Sequence, residues 1–451
     1  MQADSPNWRV IGDAATPAEV AALDALRGLL PDVGAIAWTN VSFRDPSGND
    51  NELDAIVLSR HGLFVVELKG WAGNFAGNQH YWPVTYPGGR RDERNNPYKR
   101  ANQVAQRLKG LLEAHGPRRG PQRGAWLPFV QAVVAMHGQD SSFHLNGDVD
   151  HIYRLDGYRV KGLTPLSAIF TGQAETRHPL TQQQVAATAA LFDGLGLRAR
   201  PKVRMIGQYR ISDGDPVGAG PAWEDFSVEH PGVAHIRRRV RVYPITPKAA
   251  KAQQKRIRRS ARREYLLTQN LHHPGIVSAQ DFIDDTQGVS SGSPAVVFPP
   301  DPAGELPLNV WLEQHADTLD ASARLTLIRK LGEILQYAHK QGVSHRALTP
   351  ASVRVTSADG RGRAGTPTVR VRDWQTGAIV EDTDDDDTPD TALVGDAHLP
   401  DLADPVQWPY LAPEAHQVAH PDGFAMDVYG LGVLAYLIVT GLPPAATLAE
   451  L

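Results

Sequence analysis

The sequence predicts two successive domains, an α/β domain over residues 1–200 and a second helix-and-strand domain over 203–451. Three observations carry this. The chain has 451 residues, 41% of them hydrophobic, which exceeds one ordinary core and suits two or three. Up to about residue 200, strand-like apolar runs alternate with amphipathic helical patterns. From Gln208 the texture changes: basic residues crowd Ile236 to Arg263, and an acidic run, Glu381 to Asp387, is the one clear low-complexity segment.

Composition narrows the class. Charged residues at 21%, with 41 Gly and 34 Pro, exclude collagen-like, coiled-coil and wholly disordered chains. The 46 basic and 50 acidic side chains nearly cancel, so any polyanion site has to be local. Absence of cysteine removes disulfides, thiolate nucleophiles and Cys-ligated zinc or iron–sulfur centres; a metal would sit on carboxylate, imidazole or backbone oxygen, as Mg²⁺ does. Met1 to Val10 is polar, and no apolar run reaches the ~18 residues that span a bilayer. No membrane association and a cytoplasmic location are expected. The longest apolar stretch, Leu431 to Leu442, fits a buried helix, and the chain stops soon after it, so a longer natural protein is expected.

The first helix is written at Thr16-Pro17-Ala18-Glu19. Thr as N-cap, Pro at the first helical position and Glu three beyond the cap precede the periodic run Val20, Leu23, Leu26, Leu29, Leu30. A strand-like stretch covers Ala35 to Phe43. Two apolar runs, Leu53 to Leu58 and Leu63 to Leu68, then flank Ser59-Arg60-His61-Gly62, a hairpin signal. A helical pattern covers Arg100 to Ala114, a strand Phe129 to Met136, and a last helix starts near Thr181 and runs to Leu195.

A turn centred between Arg60 and His61 puts Asp54 opposite Glu67. Opposed side chains of an antiparallel pair share a face, with Cβ atoms about 5 Å apart, and Lys69 joins that face two residues on. Phe64, Val66 and Leu68 make the other face apolar. Two facing carboxylates repel unless a cation or a shared proton lies between them. A bound Mg²⁺ would resolve the repulsion, polarise a phosphoryl oxygen and activate a water, while Lys69 oriented that water or neutralised developing charge. Phosphodiester hydrolysis uses such a set. The alternative is a solvated hairpin face with an ordinary ion pair. Lysine occupies only ten of the 451 positions, which makes a chance Glu-x-Lys arrangement there less frequent.

Asn51-Glu52-Leu53-Asp54-Ala55-Ile56-Val57, Phe64-Val65-Val66-Glu67-Leu68-Lys69-Gly70, Trp82 and Asn96-Pro97 together resemble the NERD (nuclease-related) domain. The resemblance covers roughly residues 10–198. It implies an α/β restriction-endonuclease-like fold, Mg²⁺ or Mn²⁺ held by Asp54 and Glu67, and a catalytic Lys69. It also suggests Glu19 as an additional acid and Gln103 or Gln106 as a helix-borne glutamine, although the capping box alone accounts for Glu19. Trp71, Trp82 and Trp126 read as core or rim packing.

In the second domain, Glu264-Tyr265-Leu266-Leu267 before His272-His273-Pro274-Gly275-Ile276-Val277, then His345-Arg346-Ala347 with Ser352, Asp373-Trp374-Gln375, Ala412-Pro413-Glu414 and Asp427-Val428-Tyr429-Gly430 stand in the order of protein-kinase motifs. The resemblance implies an α+β kinase-like fold with a small lobe over about 203–300 and part of a large lobe over about 301–451. Its chemistry is depleted. Ala347 replaces the HRD aspartate, Ser352 the metal-binding asparagine, and Gly218-Ala219-Gly220 is what remains of the Gly-rich loop. Aligning Val240-Arg241-Val242-Tyr243 puts Tyr243 where the strand lysine belongs and leaves Glu264 with no evident lysine. The resemblance therefore implies a pseudokinase: ATP binding is in doubt and phosphotransfer is not expected. Lys248, Lys251 and Lys255 are candidates for relocated phosphate contacts; a solvated helix face is the alternative.

The two domains in this order resemble the N-terminal region of the PglW family of type 2 BREX (phage growth limitation) antiviral systems. That implies a defence role, DNA as target and other defence proteins as partners. Three functions are open: a Mg²⁺-dependent nuclease or DNA-binding protein with a regulatory kinase-like domain, an active serine/threonine kinase, and a non-catalytic scaffold. Oligomeric state is not readable.

Overall fold

The computed structural model describes residues 1–77, 81–86, 91–115, 127–146, 151–170, 179–201, 204–212, 216–233, 236–286, 290–315, 318–356, 367–379, 405–417 and 422–445. Trp126 and the acidic run 381–387 lie outside them. The chain forms two compact units, Met1–Val203 with Thr246–Lys248, and Arg204–Ile245 with Ala249–Leu451.

The first unit runs β1 (Trp8–Val10), α1 (Pro17–Gly28), β2 (Ala35–Arg44), β3 (Asp50–Ser59), β4 (Gly62–Lys69), β5 (Asn74–Gly77), β6 (Tyr81–Thr85), β7 (Arg91–Asn95), α2 (Pro97–His115), β8 (Val130–Met136), β9 (Ser141–Leu145), β10 (Ile152–Arg154), β11 (Val160–Lys161), α3 (Ser167–Phe170), α4 (Gln182–Gly194) and β12 (Arg198–Ala199). A mixed sheet, ordered β1-β2-β3-β4-β8-β10 with β12 added to β2, carries the unit. Each face is buried. One packs Phe64, Val66, Ala55 and Val57 against Leu23 and Leu26 of α1. The other packs Ile56, Leu58, Leu63 and Val65 with Val104, Leu108, Leu111 and Leu112 of α2 and Val185 and Phe192 of α4. The expected helix caps form: Thr16 accepts from the Glu19 N–H at 3.2 Å, and Thr181 and Gln184 make a reciprocal capping box. A second sheet, β11-β9-β5-β6-β7, has no counterpart in the sequence reading. It supplies an aromatic cluster in which Trp71, Phe75, Trp82 and Phe143 meet, Phe75 stacking on Phe143 at 4.6 Å, so Trp71 and Trp82 do pack internally.

The second unit begins with an antiparallel sheet of β13 (Met205–Ile206), β14 (Tyr209–Ile211), β15 (Gly218–Ala219), β16 (Glu224–Glu229), β17 (Arg237–Val242), β18 (Asp281–Ile283) and β19 (Ala295–Phe298), with α5 (Lys251–Asn270) inserted after β17. It continues through β20 (Leu306–Pro307), α6 (Leu308–His315), α7 (Ala321–Lys340), β21 (Val343–Ser344), β22 (Val353–Thr356), β23 (Thr368–Val371), β24 (Ala378–Ile379), α8 (Glu414–Gln417) and α9 (Gly423–Thr440). Of the described helices, α9 alone has the length and hydropathy of a membrane span. Its Leu434, Leu437 and Ile438 nonetheless pack with Leu327, Leu331 and Ile334 of α7 in the helical core.

Candidate functional site

In the first unit the β3–β4 hairpin turns between Arg60 and His61 and keeps the expected register, from Ser59↔Gly62 to Ala55↔Val66. The ladder stops one pair before Asp54 and Glu67. There the Asp54 carboxylate leaves the row and accepts the backbone N–H of Leu68 at 2.6 Å. Lys69 Nζ lies 2.6 Å from Glu67 Oε1, with both side chains largely buried. The residue that completes the site was not foreseen. Arg200, just past β12, donates through Nη1 to Asp54 and through Nη2 to Glu19, and Asn40 Oδ1 accepts from Nη2 at 3.2 Å.

Local backbone geometry places Arg200. Asn40 adopts φ +52°, a conformation Asn tolerates, and the β2–β3 ladder skips it. Its carbonyl then accepts the Arg200 N–H at 2.9 Å. Gly12 passes beside them; a Cβ there would stand 2.7 Å from the Asn40 oxygen and 3.0 Å from the Arg200 nitrogen. Burial alone would lower the Arg200 value, but Asp54, Glu19 and, less strongly, Glu67 raise it above the ordinary arginine value. Glu19 also accepts the Ala15 N–H at 2.9 Å, so it both caps α1 and faces the site. Gln103 and Gln106 lie on the exposed face of α2 and add nothing to this group. His137, following β8, donates its backbone N–H to the Lys69 carbonyl at 2.8 Å; burial and the nearby ammonium hold its ring below the usual histidine range.

In the second unit a buried ionic network centres on Arg241 of β17. Its Nε and Nη2 donate to Asp225 at 2.8 and 2.9 Å. Nη1 donates to Glu264 of α5 at 3.0 Å, and Nη2 lies 2.6 Å from Asp373. The guanidinium stacks 3.6 Å from the Trp223 ring centroid. Arg239, on the same strand face, reaches Asp225 at 2.8 Å and Asp301 at 3.2 Å. Arg372 reaches Asp301 at 3.2 Å. Burial disfavours the Asp301 charge, but Arg239, Arg372 and their neighbours hold its carboxyl well below the usual range. Glu264 is displaced upward, first by burial and then by Asp373 and Asp225, which compete for the same cation.

The sequence matches the nuclease-related domain family over residues 14–137 and the protein kinase domain family over residues 237–450. The chain is a NERD domain followed by a protein kinase domain. Over 98% of its length it is 31% identical to the "Probable kinase PglW" of Streptomyces coelicolor, of which it spans 28%. Over 55% of its length it is 29% identical to the serine/threonine-protein kinase PknA of Mycobacterium tuberculosis, of which it spans 50%. Among solved structures, the Mycobacterium tuberculosis PknI kinase domain aligns with 53% of this chain and 77% of its own at 18% identity and a TM-score of 0.36.

Two sequence assignments in the kinase domain change. Glu264 does have a cationic partner, and it is Arg241 rather than a residue at position 243. Tyr243 instead donates its hydroxyl to the other Glu264 oxygen. Strand periodicity explains this: Arg239, Arg241 and Tyr243 share one face of the strand, while Val240 and Val242 enter the opposite core. Lys251 and Lys255 are exposed at the start of α5, the nearer roughly 14 Å of helix rise from Glu264. Lys248 donates to the Pro46 carbonyl and groups with the NERD unit. None of the three joins the network.

The HRD-like loop is ordered without its chemistry. Asp427 of α9 accepts the backbone N–H groups of His345 at 2.8 Å and Arg346 at 2.6 Å, and His345 Nε2 pairs with the Arg372 carbonyl at 2.9 Å. Arg346 and Asp373 both hold φ +71°, left-handed conformations rare outside glycine and kept here by the surrounding bonds. Ala347 offers no polar group. Ser352 Oγ is turned inward, donating to the Thr349 carbonyl and accepting from the Thr349 N–H, each at 2.9 Å.

Neither implied cofactor fits the residues as folded. Among the described residues no three His, Asp or Glu side chains group as a metal would require. In the NERD domain Asp54 and Glu19 close on Arg200, and Glu67 on Lys69. In the kinase domain the cation that would grip nucleotide phosphates, Arg241, is already matched by three carboxylates.

Proposed function

We propose that this chain is a cytoplasmic component of a BREX-type antiphage system, in which the NERD domain meets DNA and the kinase domain works as a nucleotide-independent regulatory scaffold docking other defence proteins. The observation that carries the reading is the state of Arg241, fully buried and matched by Asp225, Glu264 and Asp373. A working kinase needs the corresponding cation for phosphates and an aspartate at the position of Ala347 to orient the substrate hydroxyl. Loss of a general base alone lowers a rate by about 10²- to 10⁴-fold. In the NERD domain the Glu67–Lys69 pair and Asp54 supply the acidic and cationic groups that phosphodiester chemistry uses.

Calorimetric titration of the full chain with ATP and magnesium tests the scaffold: no heat of binding and no labelled phosphate on protein is the expected result, and micromolar affinity refutes it. For the NERD domain, DNA cleavage or retention that disappears in Glu67→Ala and Lys69→Ala supports the reading; a wild type inert toward DNA with every divalent cation removes it. A second reading, an active serine/threonine kinase, is favoured by one feature. Arg241 bridges Glu264 and Asp373 much as the strand lysine contacts the helix glutamate beside the metal-binding aspartate in active kinases. Phosphoserine or phosphothreonine that vanishes in Asp373→Ala would establish it.

A further inference from the structure

We infer that Arg200 is a tethered competitor for a divalent cation at the Asp54 site, so that the NERD domain rests closed and a metal enters only by displacing the guanidinium. The inference rests on the proposal that Asp54 and its neighbours serve phosphodiester chemistry, and it adds a control to that site. Its basis is the position of one cation. Arg200 lies 146 residues from Asp54 and 181 from Glu19 in sequence, yet donates to both, with only 16% of its side chain exposed. Glu67 adds to the same field. A guanidinium and a metal ion cannot both occupy the oxygens of Asp54 and Glu19, and either one satisfies the mutual repulsion of the acids.

The tether is slight. Arg200 follows a strand of two residues that pairs with Ser42 and Val41 at the edge of the sheet, and beyond it the backbone is fixed by the bond to the Asn40 carbonyl. The side chain has one anchor that is not an acid, the Asn40 amide oxygen. Detaching so short an edge strand leaves the core ladders β2–β3 and β3–β4 in place. A purely structural ion pair would behave differently: removing its cation would destabilise the domain without creating affinity for anything.

The test is Mn²⁺ binding to the full chain, read from the free-ion signal in electron paramagnetic resonance. Arg200→Gln should bind Mn²⁺ at least tenfold more tightly than wild type, and Mn²⁺ should raise its melting temperature by more than it raises that of wild type. Asp54→Asn added to Arg200→Gln should abolish the gain, which locates the ion. Asn40→Gly, which suits φ +52° and deletes only the amide anchor, should shift affinity in the same direction by a smaller factor; it decides the matter if Arg200→Gln does not fold. Equal affinity in wild type and these variants overturns the inference. Tighter Mn²⁺ binding with no effect on DNA upholds the competitor and removes the nuclease reading, whereas metal-dependent DNA cleavage with unaltered Mn²⁺ affinity does the reverse.

Discussion

Replacing Arg241 by Met removes one charge from the most deeply buried ionic group in the kinase domain. The side chains of Arg241, Asp225 and Glu264 are 0%, 1% and 1% exposed, so solvent screens little of the loss. Methionine fills much of the same volume, so the cost is mainly that of stranded carboxylates, about 3–5 kcal/mol for a buried pair broken on one side. That is a large share of the ~5–15 kcal/mol that holds a typical domain together. At roughly 2–4 °C per kcal/mol for a domain of 150–250 residues, the kinase transition should fall by about 6–20 °C. Differential scanning calorimetry of the full chain reads this. Arg241→Lys, which keeps the charge but not the fork that spans three acids, should lose less. The double variant Arg241→Met with Asp225→Leu should recover part of the loss, because it strands one acid fewer. A melt within about 2 °C of wild type for Arg241→Met would show that the network does not hold the domain.

Restoring the missing aspartate by Ala347→Asp should not create a kinase, because Arg241 remains matched; labelled phosphate transfer by that variant would contradict the account of the cleft. Since His137 is held below its ordinary value of 6.5, the unfolded chain takes up the proton first, so NERD-domain stability should decline as pH falls below about 6.5 and level off below the folded value. His137→Gln should flatten that slope in urea melts taken at several pH values, and an unchanged slope would exclude this ring as its source. Gly12→Ala drives a Cβ to 2.7 Å from the Asn40 oxygen and 3.0 Å from the Arg200 nitrogen. It should cost about 1–3 kcal/mol by overpacking, seen as a lower melting temperature, and a neutral effect would mean that the crossing yields.

What the sequence made legible was whatever depends on neighbours along the chain. Thr16 with Glu19, Thr181 with Gln184, and the two-residue turn at Arg60-His61 are set by spacings of two to four residues, and all appear in the structure. The Glu67–Lys69 pair follows from strand alternation in the same way. Arg200 carries no such mark, because nothing local ties an arginine before a proline to an aspartate 146 residues earlier. Arg241 is an intermediate case. The run Arg237-Arg238-Arg239-Val240-Arg241-Val242 shows by alternation that Arg239 and Arg241 share a face. Alignment to a motif chose the right face of the strand but stepped one pair too far, to Tyr243.

Because Arg200 stands at the exit of its domain, four positions before Arg204 opens the next compact unit, the choice of a truncation point is a chemical choice. A recombinant piece ending at 197 would expose Glu19 and Asp54 without their partner, while one ending at 203 would retain it. The two preparations would differ in metal uptake and heat tolerance although every strand of the core ladders was common to both.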